Sequence, residues 1–327
     1  MLVIAFHTPQ IDVRGTCVAL YDYARYNEEI LGNKSIITSK QSNEDTYIHD
    51  HIAVIKFTKR FPVYFYTDKQ DLHSYLKKSN VNILYAIKYG KKDDIIFPDI
   101  KMVVHCVFDL TEPHGNVYAA VSQTLAQKFN YPLYVPHMVS LKPPIYKENM
   151  RSELKIPESA IVFGRHGGLD TFDLTFAMKC IHEVVQIRDD IYFIFINTVK
   201  FSNHPRVIYL DKIIDDGEKN RFINTCDAMV HAQSLGETFG LAIAEFSINL
   251  KPIITYSGNV LNNTYRKILK NNAIYYETYN DLKDILLTFK KGTKGINCYE
   301  EYTPKKVMTI FNEVFIQKAL QDNPVLA

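Results

Sequence analysis

Short apolar runs alternate along the chain with longer stretches in which apolar positions recur every three or four residues. Leu2–Phe6 is a continuous apolar run of strand length, which predicts a first buried strand rather than a secretory leader. Val18, Leu20, Tyr21 and Ala24 repeat at helical spacing and predict a helix from about Thr16 to Leu31, stopped at Gly32-Asn33. Ser35–Thr38 reads as the next strand, followed by strands at Ile52–Phe57, Ile83–Ala86, Met102–Val107 and Tyr134–Pro136. Around Met138–Pro157 prolines and charges replace the apolar period, which marks a linker. The rhythm then restarts with strands at Ala160–Phe163, Tyr192–Ile196, Val207–Leu210, Ala228–Ala232 and Pro252–Tyr256. Helical patterns cover Leu174–Arg188, the region of Gly217–Thr225, a stretch beginning near Phe239, and about Pro304–Ala319. Strand–helix alternation of this kind predicts an α/β protein built on two parallel sheets, each with helices on both faces. Such sheets bind ligands at the carboxyl ends of their strands, so a ligand is expected in the crevice between the two domains.

Composition narrows the class without naming a chemistry. The 327 residues suit two domains of ordinary size. Hydrophobic residues make up 46% and charged residues 23%, which excludes a disordered chain. Thirty-eight basic residues against 36 acidic ones leave a net charge of +2, so no basic surface argues for nucleic acid. No apolar run approaches the ~18 residues of a membrane span. The five cysteines (Cys17, Cys106, Cys180, Cys226 and Cys298) lack metal-ligand spacing and read as reduced thiols in the cytoplasm. His49 and His51 flank Asp50 in a polar stretch and read as surface residues, whereas His166 sits at a strand end where it either lines a cleft or packs. Lys59-Arg60 and Lys91-Lys92 read as solvated faces, and the aromatic stretch Phe61–Tyr66 as packing or an acceptor surface for sugars.

The most informative stretch runs from Ser234 to Phe246, between the strand ending near Ala232 and a helix reaching about Asn249. A glycine-bounded loop that opens a helix presents free backbone N–H groups and the positive end of the helix dipole, which suits phosphates and sugar hydroxyls. Gly236 and Gly240 permit close backbone approach, Glu237 is placed to accept hydrogen bonds from a sugar, and Glu245 to hold vicinal hydroxyls. An acid near a helix N-terminus also serves simply to offset the dipole, so these residues alone leave both roles open.

The stretch from Thr225 to Gly258 resembles the donor-binding segment of retaining GT-B glycosyltransferases of family 4, with their Glu-x7-Glu pattern in a strand–loop–helix. The surrounding pieces fall in that family's order. Ile161–Arg165 resembles the first strand of the C-terminal domain with its phosphate-binding arginine, and Val207–Lys212 the strand and loop beside the base. Val104–Asp109 resembles the N-domain strand that carries an active-site histidine, Ala119–Gln123 and Tyr134–Pro136 the strands after it, and Arg14-Gly15-Thr16 the glycine-rich loop. The resemblance implies two Rossmann-like domains facing a central cleft: an acceptor-side domain over 1–145, a donor-binding domain over 146–303, and a C-terminal helix over 304–327 returning to the first domain.

It also implies roles. Glu237, His105 and Arg165 would form the catalytic set: Glu237 on donor-sugar hydroxyls, His105 facing the reacting sugar, and Arg165 on the diphosphate. Glu245 would bind the ribose; Thr238, Phe239, Gly240 and Leu241 would offer N–H groups; Gly15 and Thr16 would assist from the opposite domain. The chain departs from the family where Asp170 replaces its lysine: either Lys212 or another cation takes its place, Arg14 supplying some of the missing charge, or turnover is weak. No Asp-x-Asp occurs, so a metal-independent site with no cofactor is expected. The implied reaction is retaining transfer of a hexose, GDP-mannose being slightly preferred over UDP-glucose as donor, to a glycan, lipid or glycoprotein. No nucleic acid and no transmembrane segment are expected; a homodimer is left open. The alternatives are a catalytically idle nucleotide-sugar-binding protein and a GT-B nucleotide-sugar epimerase.

Overall fold

The computed structural model describes residues 1–42, 48–258 and 260–321, which form two compact units. The first comprises Met1–Ser140 together with the chain from Tyr302 onward, and the second Leu141–Glu301.

In the first unit the chain runs β1 (Val3–Thr8), α1 (Gly15–Glu29), β2 (Lys34–Lys40), α2 (His51–Arg60), β3 (Val63–Tyr66), α3 (Lys69–Lys78), β4 (Ile83–Lys88), β5 (Lys101–Cys106), β6 (Val117–Ala120) and α4 (Gln123–Lys128). In the second it runs β7 (Ile161–Arg165), α5 (Thr175–Ile187), β8 (Ile191–Ile196), β9 (Val207–Leu210), α6 (Asp216–Thr225), β10 (Ala228–His231), β11 (Gly236–Glu237) and α7 (Leu241–Ile248). The same unit continues with β12 (Ile253–Tyr256), β13 (Asn262–Asn263), α8 (Thr264–Leu269), β14 (Ile274–Tyr276) and α9 (Tyr279–Thr288). The six-stranded sheets are ordered β3-β2-β1-β4-β5-β6 and β14-β12-β10-β7-β8-β9, and every pairing within them is parallel. Leaving aside the two-residue β11 and β13, both sheets share the 3-2-1-4-5-6 order of dinucleotide-binding folds. Strand order therefore reverses between β1 and β4 in one unit and between β7 and β10 in the other.

The apolar runs became strands because burial on both faces rewards continuous hydrophobicity, as in β4, where every residue is buried. The second core is built on Phe163, Phe193 and Phe195 of β7 and β8 and on α5. In the first unit α10 (Pro304–Phe311) and the π turn after it (Asn312–Gln317) lay Phe311 and Phe315 against Tyr23, Tyr85 and His105, with Phe311 stacked on Tyr23 at 5.1 Å. Residues 322–327 of the expected C-terminal segment lie outside the described residues.

Two expected strands are corrected. Ile52–Phe57 is helical, within α2, because Asp50 caps it: its Oδ1 accepts from the N–H groups of Ile52 and Ala53 at 3.1 and 3.0 Å. Ala53 and Phe57, four apart, are its buried residues, so its register is helical despite the β-branched composition. Tyr134–Pro136 forms only a single bridge, Tyr134 to Ala120. Its next two carbonyls go to side chains, Val135 O to His105 Nε2 and Pro136 O to the Tyr23 hydroxyl, both at 2.7 Å.

Candidate functional site

In an open parallel sheet ligands gather beyond the carboxyl ends of the strands where strand order reverses. In the second unit that point lies between β7, which ends at Arg165, and β10, which ends at His231. The chain leaves β10 into the loop that carries Glu237 and then enters α7 with Glu245. Topology thus collects the residues singled out by the Glu-x7-Glu pattern on one edge of one sheet.

Glu237 is held by a two-residue strand pair, Gly236 with Asn262 and Glu237 with Asn263. Gly236 has φ +68°, and a Cβ there would stand 2.0 Å from the carbonyl oxygen of Asn262. This glycine serves the pairing of β11 with β13. Gly240, at φ +84°, is the left-handed N-cap of α7 and meets nothing closer than 3.3 Å. Gly236→Ala is therefore expected to destabilise the second unit by at least ~1–3 kcal/mol, through strain plus displacement of β13, and Gly240→Ala by only ~1–2 kcal/mol through conformation alone. Thermal melts of the two variants check the order; equal losses would contradict it.

Glu245 is buried on α7 and faces two basic side chains. Lys219 Nζ of α6 lies 2.7 Å from Oε1, and His166 Nε2, just past β7, lies 3.0 Å from Oε2, within ion-pair distance but not aligned for a hydrogen bond. Burial alone would raise the carboxyl pKa, but Lys219 and His166 overcome it and hold Glu245 down to about 2. Burial also lowers His166, so Lys219 supplies the formal positive charge. Each carboxylate oxygen keeps a further lone pair for a ligand hydroxyl.

Arg165 is almost fully buried. Its Nη1 donates to Asn197 O (3.1 Å) and Thr198 Oγ1 (2.5 Å), and its Nη2 to Gly168 O (2.8 Å) and Thr171 Oγ1. The expected phosphate-facing fork is thus turned onto protein oxygens and fastens the loops that follow β7 and β8. Burial pushes its pKa down to about 10 against the pull of Glu237, Asp170 and Asp173. Asp173 in turn accepts from the N–H and hydroxyl of Ser234, at 2.7 and 2.5 Å, tying the loop before Glu237 to the loop beneath it.

Glu237 itself is partly open, with 30% of its side chain exposed, and its Oε1 lies 3.6 Å from Nε2 of His231. Thr238 and Phe239 are buried, and the Phe239 carbonyl accepts from the Tyr299 hydroxyl at 2.9 Å. Leu241 opens α7, which has no side-chain cap and no acid in its first turn. Lys212 is exposed on the loop between β9 and α6, and Asp170 is exposed after Arg165.

The remaining expected residues belong to the first unit. Arg14 is the N-cap of α1 and exposed; its N–H donates to Asp12 Oδ1 at 2.9 Å, and Gly15 and Thr16 begin the helix. These three stand after β1, at that sheet's own reversal point. His105 departs from expectation. It is fully buried in β5, with Nδ1 bonded to the Tyr85 hydroxyl and Nε2 to Val135 O, both at 2.7 Å. Burial lowers its pKa to about 4 despite the carbonyl partner. A ring satisfied at both nitrogens inside a core does not present itself to a sugar. Phe61–Tyr66 is likewise committed to packing: Phe61 and Tyr66 are buried, and Tyr64 stacks on Tyr75 at 3.7 Å. His49 is a loop tie, accepting from Ile11 N at 3.0 Å and meeting Lys40 O at 2.8 Å.

Lys219 and His231 were not singled out in the sequence. A polar residue closing an apolar strand was the available signal for His231; Lys219 left none, because its partner lies 26 positions away. Among the described residues no helix is long and apolar enough to cross a membrane.

No protein-family model matches this chain, and no curated protein matches it. Solved structures do. HepE from Anabaena, in complex with UDP-glucose, is 13% identical over 98% of each chain with a TM-score of 0.65. A glycosyltransferase from Rickettsia africae is 14% identical over 98% of this chain and 96% of its own, with a TM-score of 0.62. Sucrose-phosphate synthase from Thermosynechococcus elongatus is 11% identical over 98% and 97%, also at 0.62. The chain has the GT-B fold.

Proposed function

We propose that this protein is a retaining hexosyltransferase that takes its donor as a nucleotide sugar in the second unit and passes the sugar to a glycan, lipid or glycoprotein. The observation that carries this reading is the pair Glu237 and Glu245 at the β7/β10 reversal point, one partly open and the other buried and held ionised by Lys219 and His166. A fixed carboxylate suits two vicinal ribose hydroxyls, and an open one suits the hydroxyls of a sugar. Charge that develops on the departing diphosphate is met by the N–H groups at the start of α7 and by the field of Arg165. The solved neighbour that holds UDP-glucose makes this the first donor to test, ahead of the GDP-mannose favoured by the sequence.

Asp170 supports a second reading, an idle nucleotide-sugar-binding protein, because an exposed acid beside Arg165 opposes diphosphate. Calorimetric titration with UDP-glucose and GDP-mannose, followed by assays for hydrolysis and transfer, separates the two. Binding with turnover supports the transferase, binding without turnover to any acceptor supports the idle protein, and absence of binding defeats both. Glu245→Ala is expected to weaken UDP and UDP-glucose alike by about tenfold or more, a charged hydrogen bond being lost from the ribose. Glu237→Ala is expected to spare UDP and lower turnover by roughly 10²–10³. Equal effects of the two variants on UDP would contradict the division of roles.

A further inference from the structure

Resting on that reading of the second unit, we infer that His231 is the positioning residue for Glu237, donating from Nε2 to the Glu237 carboxylate while its other oxygen takes the sugar hydroxyl. The imidazole is clamped on several sides. Its strand position pairs with Thr255 of β12, and Nδ1 lies 2.9 Å from the Thr255 hydroxyl. The Tyr276 hydroxyl donates to the His231 carbonyl at 2.8 Å, and the Tyr265 ring covers the imidazole at 5.5 Å. Only Nε2 remains. It is buried, has no hydrogen-bond partner among the described residues, and lies 3.6 Å from Glu237 Oε1.

Buried polar nitrogens without a partner are rare, because the lost hydration goes uncompensated. A lone pair facing a carboxylate would be repelled, whereas an N–H is attracted, so the carboxylate selects the Nε2–H form and the Thr255 hydroxyl donates to Nδ1. At 3.6 Å the pair is just beyond hydrogen-bond length, and a side-chain adjustment of under ~1 Å closes it. Glu237 is free to make that adjustment, being partly exposed on a two-residue strand, while His231 is not. The carboxylate is also drawn by Arg165, so an anchoring donor decides where its second oxygen points.

The test has a ligand-free arm and a ligand arm, both on the full chain. Nitrogen-15 NMR of the histidine side chains is expected to show His231 as the Nε2–H tautomer, with its Nε2 resonance moving in Glu237→Ala. An Nδ1–H tautomer, or no response to Glu237→Ala, overturns the inference. With UDP-glucose as donor, His231→Leu is expected to lower kcat roughly tenfold while UDP affinity stays within about twofold. His231→Gln, whose amide nitrogen takes the place of Nε2, is expected to recover most of the loss. In the Glu237→Ala background His231→Leu should have no further effect, and additive losses overturn the inference. If wild-type protein binds neither UDP-glucose nor GDP-mannose, the proposed function fails, and the NMR result still decides the pairing of His231 with Glu237.

Discussion

Acidification from pH 6.5 to 4 is expected to unfold the first unit while the second remains folded. Four of its histidines, His7, His105, His114 and His137, are buried, and burial lowers the pKa of each. Burial, with help from Lys88, lowers His7 to about 4. Burial lowers His105 to about 4 as well, and pushes His137, whose ring lies 5.3 Å from that of His105, well below the usual range. In the unfolded chain each titrates near 6.5. Below that pH the unfolded state therefore binds more protons than the native one, and stability falls as pH falls, until the native rings also protonate near 4. A displacement of that size is worth on the order of 3 kcal/mol per ring. His7 and His105 together reach the scale of a whole domain's stability, ~5–15 kcal/mol. In the second unit burial lowers His166 too, but Glu245 at 3.0 Å pulls the other way, and Glu245 itself stays ionised down to about 2. Hydrogen exchange read by mass spectrometry, corrected for intrinsic rates, checks this. Peptides from β4 and β5 should lose protection near pH 5 while those from α5 and β8 keep it. Simultaneous loss in both units, or full protection of β5 at pH 4.5, would contradict the histidine account.

Those same histidines show what was legible in the sequence. The sheets were legible, because a strand buried on both faces announces itself as an unbroken apolar run, as β4 and β8 do. Ile52–Phe57 carries the same signal and is a helix, since a cap at Asp50 and burial of only Ala53 and Phe57 outweigh β-branched composition. Glu237 and Glu245 were legible because glycine, acid and apolar period lie within one short stretch. The partners that define them were not. Lys219 and His166 reach Glu245 from α6 and from the end of β7, and His231 reaches Glu237 across a loop. The pairings of Glu245 are set by strand order, and that of His231 by the course of the loop after β10, neither of which local periodicity encodes. Arg165 and His105 stand where the resemblance places them in the chain, yet the protein's own oxygens and rings surround them. Position along the chain was readable there, and side-chain direction was not.

Lys219→Met is expected to destabilise the second unit by about 3 kcal/mol, although the substitution preserves much of the side-chain volume. Lys219 and Glu245 are nearly buried, their side chains 12% and 8% exposed, and 2.7 Å apart. With the ammonium gone, the carboxylate keeps, among the described residues, His166 at 3.0 Å, which burial holds toward its neutral form. Removing one member of a buried pair leaves a charge without compensation, which typically costs ~3–5 kcal/mol; His166 places this case at the lower end. The pH dependence should change with it. In the wild type Glu245 is held down to about 2 from the ordinary 4.5, so its stabilisation is complete above 4.5 and is lost as pH falls through about 2. In Lys219→Met burial of the carboxylate dominates, the native pKa rises, and mild acid should relieve the variant rather than weaken it. The double variant Lys219→Met/Glu245→Leu removes both charges and should recover most of the lost stability, since apolar replacements of buried pairs are often neutral. Urea denaturation of the three proteins at pH 7 and 5 measures each step. A Lys219→Met chain as stable as wild type would show that the pair is solvated in solution. Recovery of stability in the double variant without recovery of UDP affinity would separate the two roles of the carboxylate. The fold would then tolerate an apolar pair at this position, and the ionised Glu245 would be held there for the ribose.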